Sequence, residues 1–99
     1  MLDYIRNLDN VDYSDIHIRE GKNLALRQDG NIVKTDKMIS HRDIVEFMEG
    51  VGCKDILDRL KTRGEVDFSV EIGVLRFRGN LFMQRSGLGL VLRKINSHI

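Results

Sequence analysis

Ninety-nine residues make one domain at most, and 41% hydrophobic with 31% charged residues can build one modest core, which excludes wholesale disorder. No stretch approaches the ~18 consecutive apolar residues of a membrane span, and Met1 to Asn10 holds charges rather than an apolar secretory core. A single cysteine, Cys53, excludes an internal disulfide or a Cys-rich metal site and fits a reducing, cytosolic setting.

The net charge of +1 hides an asymmetry. Residues 1–73 carry 11 Lys/Arg against 15 Asp/Glu, whereas residues 74–99 carry Arg76, Arg78, Arg85, Arg93 and Lys94 with no acid. Either the C-terminal quarter faces something anionic, or its charges pair with the acidic remainder of the chain. Composition leaves both open.

In chain order, Leu2, Ile5 and Leu8 fall at helical spacing in a stretch short enough to need tertiary support. Ser14-Asp15-Ile16-His17-Ile18 alternates polar and apolar, the period-two mark of a half-buried strand. Leu24–Gln28 and Asn31–Lys34 flank Asp29-Gly30, a dipeptide suited to the positive φ angles of a tight hairpin turn. Ser40 can cap a helix with Ile44, Phe47, Met48 and Val51 inward, and Gly50 and Gly52 can end it in left-handed geometry. A second helix carries Ile56, Leu57 and Leu60 inward and stops at Gly64. Glu65–Ile72 then alternates strictly, Gly73 breaks it, Val74–Gln84 forms a longer strand, and Ser86-Gly87 turns into Leu88–Ile95. Strands, then helices, then strands predict an α+β domain: a mostly antiparallel sheet of about six strands with helices packed on one side.

Nothing here amounts to a self-contained catalytic site. There is no phosphate-loop pattern, and Gly87-Leu88-Gly89 follows a turn instead of opening a helix, so it is read as a hairpin turn. His17, His41 and His98 are scattered, and Asp15 with His17 is too few donors for a metal. Asp67 and Glu71 read as solvated strand charges. Cys53 falls at a helix start, where a thiol pKa can drop, but has no sequence-placed base. What remains is the basic C-terminal hairpin. Arginines on adjacent strands form a supported set of forked donors for phosphate. With no phosphate-gripping loop of their own, they suit a nucleotide held by another domain or subunit, as an arginine finger does.

Ser14-Asp15-Ile16-His17-Ile18, Arg27-x-Asp29-Gly30, Asp67-Phe68-Ser69, Arg76-Phe77-Arg78-x-Asn80-x-Phe82-x-Gln84, Gly87-x-Gly89 and Leu92-Arg93-Lys94-Ile95 occur in that order. The set resembles the N-terminal domain of the twitching-motility (type IV pilus retraction) ATPases, within the type II/IV secretion ATPase family, from about Leu2 to Ile99. The resemblance implies that residues 1–99 are a single N-terminal PAS-like domain, with the RecA-like ATPase core, its phosphate loop and its catalytic residues lying outside this chain. The whole motor would be a homo-hexamer using ATP and Mg2+, cytoplasmic, peripheral to the inner membrane and working with the pilus machinery. The isolated domain would have no catalytic residue, metal or cofactor of its own and no activity. Carried over motif by motif, Arg78 and Arg93 are the expected phosphate contacts, with Arg76 and Arg85 as weaker candidates. The 13 residues before Ser14 resemble the short leader of retraction ATPases more than the extended N-termini of assembly ATPases. Two positions depart from the pattern: Gly79, where a β-branched residue is common, is expected to weaken the strand or permit a bulge, and Asn96 stands where proline is frequent.

Two other readings compete. One is a stand-alone PAS-like ligand sensor or adaptor, against which the lack of a cavity-lining aromatic set counts. The other is a weak nucleic-acid binder using the basic hairpin, against which Phe77 and Phe82 count, since they fall on opposite strand faces. No nucleic-acid partner is expected.

Overall fold

The computed structural model describes residues 1–95. The elements are α1 (Leu2–Arg6), β1 (Asp15–Arg19), β2 (Asn23–Gln28), β3 (Asn31–Met38), α2 (His41–Gly50), α3 (Lys54–Arg63), β4 (Glu65–Ile72), β5 (Leu75–Gln84) and β6 (Gly87–Lys94). His98 and Asn96 lie outside the described residues.

The two halves of the chain each form an antiparallel meander, and these join through β1 and β6 into one six-stranded sheet of order β3-β2-β1-β6-β5-β4. Every neighbouring pair is antiparallel. The strand alternation sends one set of side chains, including Ile16, Ile18, Phe77, Leu81, Leu90 and Leu92, into a core where each is fully buried. The three helices close that side: Ile5 of α1, Ile44, Phe47 and Met48 of α2, and Ile56 and Leu60 of α3 are buried against the sheet. Burying one such side chain contributes about 1.5–3 kcal/mol, so the apolar face holds the helices on one side and leaves the other face of the sheet free of them. Among the described residues no helix is long and apolar enough to cross a membrane.

Turn chemistry sets the corners. Asp29 (φ 50°) and Gly30 (φ 80°) both take positive φ between β2 and β3, as the hairpin signal requires. At the end of α2 the left-handed residue is Gly52, at φ 78°; Gly50 stays inside the helix, its Cα facing Leu2 of α1. The start of α2 is a capping box. Asp43 N–H donates to Ser40 Oγ at 3.1 Å, and Ser40 N–H donates to Asp43 Oδ2 at 2.8 Å. The Ser40 backbone hydrogen bond is the main reason the Asp43 carboxyl lies below its ordinary pKa. Ser40→Ala is expected to cost about 1 kcal/mol and to lower the thermal midpoint by about 4–8 °C. A differential scanning measurement showing no shift would mean the cap is dispensable.

Two expectations change here. Gly79 creates no bulge: the β4–β5 and β5–β6 registers run unbroken through it. The Phe68 ring from β4 lies over Gly79, and a Cβ there would come within 2.6 Å of Phe68 Cε1. The register shifts instead on the far side of the sheet, between β2 and β3 at Asn23/Ala25. Cys53 is the N-cap of α3, yet its thiol pKa is raised, by burial first and then by the charge of Asp55. Desolvation outweighs the helix terminus, and the thiol is not activated.

Candidate functional site

The helix-free face of the sheet carries the residues that alternate away from the core. Arg78 of β5 and Arg93 of β6 stand directly opposite each other in the ladder. The row continues to Asp15 of β1 beyond Arg93, to Arg27 of β2 beyond Asp15, and to Ser69 of β4 beyond Arg78. Side chains directly opposite have Cβ atoms about 4.5–5.5 Å apart, where two like charges repel. These two arginines, singled out one by one from separate motifs, therefore form one cationic pair.

The pair is anchored on one side only. Arg93 Nε donates to Asp15 Oδ1 at 3.1 Å, and Ser14 Oγ donates to Asp15 Oδ2 at 2.9 Å. The Asp15 side chain is 6% exposed, whereas Arg93 is 71% exposed, so a buried carboxylate holds the stem of a guanidinium that still reaches solvent. Burial is the largest influence on Asp15 and favours its neutral form. The Arg93 and Ser14 hydrogen bonds, with the Arg93 charge and a smaller contribution from His17, outweigh it and hold the carboxyl below its ordinary pKa. Arg78 makes no ion pair among the described residues.

Around the pair the face dips into an open concavity of about 610 Å³, lined by Asp67, Ser69, Arg78, Asn80, Val91 and Arg93. Asn80 Nδ2 donates to Asp67 Oδ1 at 2.8 Å and Arg76 pairs with Glu71, so both carboxylates that flank Ser69 on this face of β4 have partners other than Arg78. The cavity thus presents two guanidinium groups, of which only one has a protein anion.

Of the weaker candidates, Arg76 lies on the same face as Arg78 but is engaged by its cross-strand neighbour Glu71 at 3.0 Å. The pair is exposed on both sides and worth little. Arg85 lies in the turn between β5 and β6, seven residues from Arg78 along the strand, roughly 24 Å at strand rise, and does not join the cluster. Lys94 alternates to the opposite face, its Nζ 3.7 Å from the centroid of the Tyr13 ring. Burial, with the Asp9 charge, raises that phenol to about 12. Phe77 is buried in the core while the Phe82 ring covers Gly89 on the helix-free face, so the two form no stacking platform.

Two residues that matter were not legible as site residues. Asp15 reads locally as a partner for His17, but its partner is 78 positions away. No local sequence signal marks Glu20. Its carboxylate accepts from the Leu88 N–H at 2.9 Å, sits 3.1 Å from His41 Nδ1, and fills the space where a Cβ of Gly87 would be. The Leu88 hydrogen bond, then that of His41, lowers its pKa. Gly87, at φ 120°, is therefore the first residue of β6 and a seat for Glu20, not the turn itself.

Comparison with known proteins points one way. No family model matches the chain. In an alignment 92 residues long that covers 87% of this chain, it is 36% identical to the type IV pilus retraction ATPase PilT of Pseudomonas aeruginosa. It spans about a quarter of that relative, 26%. The crystal structure of the pilus retraction motor PilT with bound ADP superposes with a TM-score of 0.85 at 30% identity, covering 100% of this chain and 30% of that one. The ATPase DotB of Legionella pneumophila shares the fold, with a TM-score of 0.75 at 18% identity over 93% of this chain and 27% of that one. By sequence and by fold together, the chain is a relative of the type IV pilus retraction ATPases and corresponds to their N-terminal domain.

Proposed function

We propose that residues 1–99 are the single N-terminal, PAS-like domain of a hexameric pilus retraction motor, preceding a RecA-like ATPase core. In this reading the domain brings Arg78 and Arg93 to the phosphates of a nucleotide whose phosphate loop and Mg2+ site lie on the core of the same or a neighbouring subunit. The motor is cytoplasmic and works with the pilus machinery at the inner membrane. The observation that carries the reading is the pair itself: two arginines directly opposite on adjacent strands, with one carboxylate between them and the rest of the row. An anion between the guanidinium groups relieves their repulsion and gains charge-assisted, forked hydrogen bonds. The PilT relative solved with ADP supports a nucleotide as that anion.

The mechanism follows from differential binding. A triphosphate and a diphosphate offer different charge at the arginine pair, so hydrolysis changes how strongly the domain is held against the core. That difference in interaction free energy drives a rigid-body pivot. Arg78 is free to swing with the phosphate, whereas Arg93 is tied to the sheet through Asp15. Asp15 thus positions one donor while the other adapts. The test is ATP turnover of Arg78→Ala and Arg93→Ala in the full-length motor, with Arg85→Ala as the control away from the pair. Unchanged turnover in both pair mutants would sink the role.

A further inference from the structure

The helix-free face holds a second concavity toward the β3 edge. It encloses about 390 Å³ and is lined by His17 and Arg19 of β1, Lys22 of the β1–β2 turn, Ala25 of β2, and Ile32 and Lys34 of β3. Ala25 stands between His17 and Lys34 in the ladder, and its methyl group leaves the space open. No carboxylate lines the concavity. Arg19, Lys22 and Lys34 make no ion pair among the described residues. His17 Nε2 is buried and has no hydrogen-bond partner among them. The nearest acid along β1 on this face, Asp15, is already taken by Arg93 and Ser14.

A buried imidazole nitrogen without a partner is costly, and the three cations around it are exposed and share no carboxylate lining the concavity. We propose that this concavity is a second anion site that takes a phosphate group, with His17 supplying the buried donor and Arg19, Lys22 and Lys34 the positive charge. Ile32, 55% exposed, offers an apolar wall for the organic part of a phosphate ester. The site is separate from the arginine pair. Lys34 and Arg78 stand four strand spacings apart in the sheet order, roughly 19 Å, so one phosphate cannot touch both. A soluble phosphate ester and an anionic phospholipid headgroup present the same chemistry to it.

Pyrophosphate titrated into the 99-residue chain, followed by amide and imidazole NMR shifts, tests the site. Saturable shifts at His17, Ala25 and Lys34 are expected. Lys34→Glu, at an exposed position, is expected to weaken binding at least tenfold with the spectrum otherwise native, and Arg78→Ala is expected to leave these shifts intact. Vesicles of phosphatidylcholine with and without phosphatidylglycerol separate the sources. Sedimentation with the anionic vesicles that Lys34→Glu abolishes identifies a headgroup, and pyrophosphate binding without sedimentation identifies a soluble ester. Either upholds the site. Shifts confined to the Arg78 and Arg93 strands, shifts indifferent to Lys34→Glu, or no response to either probe would overturn it. Because Arg78→Ala disables the first site alone, failure here leaves the motor reading standing, and the converse also holds.

Discussion

Arg78→Ala in a full-length motor is expected to cut ATP turnover by about two to three orders of magnitude while leaving the thermal midpoint of the domain unchanged. Arg93→Ala is expected to lower both. An arginine finger is worth about 10³–10⁵ in turnover, and two donors sharing one phosphate cluster divide that effect. The difference between the mutants comes from what each leaves behind. Arg78 has no protein partner among the described residues, so its loss strands nothing. Arg93 holds Asp15, whose side chain is 6% exposed. Breaking a buried pair costs about 3–5 kcal/mol; with Arg93 largely in water, about 1–3 kcal/mol is expected. Asp15→Asn combined with Arg93→Ala should return most of the lost stability and none of the lost turnover, which separates the folding role of Arg93 from the proposed phosphate contact. Equal midpoints for the two single mutants in urea or thermal melts would refute the anchor.

The same pair carries a pH signature. The folded carboxyl of Asp15 has a pKa below its unfolded value of about 3.9, so it contributes stability above that value and loses the contribution as pH falls through the lower, folded one. In Arg93→Ala, burial, the largest influence on Asp15, is opposed only by the Ser14 hydrogen bond and the His17 charge. The acid-side loss attributable to this group should therefore shrink, which urea titrations at a series of acidic pH values would show.

How much of this could be read from the chain depends on how local each signal is. The strict alternation of Glu65–Ile72, the Asp29-Gly30 turn and the Ser40 cap are all governed by neighbours within four residues, and each appears where expected. Arg78 and Arg93 were legible as residues because their motifs are short. Their adjacency depends on the β5–β6 register, and the anchor at Asp15 depends on the β1–β6 contact that joins the chain's two halves. Glu20 was invisible for a related reason: its role is to occupy the volume Gly87 vacates, 67 positions later, and a glycine in sequence does not announce which side chain will fill it. Cys53 shows a competition that spacing cannot weigh, since helix-terminus stabilisation of a thiolate is local but burial is set by the assembled core.

Gly79→Val is expected to destabilise the domain by about 2–3 kcal/mol, although sequence rules alone favour it. A glycine inside a strand costs about 0.5–1 kcal/mol relative to a residue with a side chain, β-branched residues suit strands, and the family resemblance leads one to expect such a residue here. The sign reverses because the place is occupied. A Cβ on Gly79 falls on the Phe68 ring, which packs against the buried core and has to be pushed outward to make room. Phe68→Ala alone should also cost about 2–3 kcal/mol, below the usual range for a fully buried ring because Phe68 is only partly buried. The two changes together should cost less than their sum by about 1–2 kcal/mol, because each removes the clash or the void that the other creates. Chemical denaturation of the two single mutants and the double mutant closes the cycle, and additive costs, or a stabilised Gly79→Val, would show that ring and glycine are not coupled. The consequence reaches the arginine pair. Gly79 lies between Arg78 and Asn80, so a valine that pushes β5 away from Phe68 also displaces Arg78 from its position opposite Arg93. In the full-length motor, Gly79→Val should therefore lose turnover along with stability, and Phe68→Ala in the same chain should recover part of each.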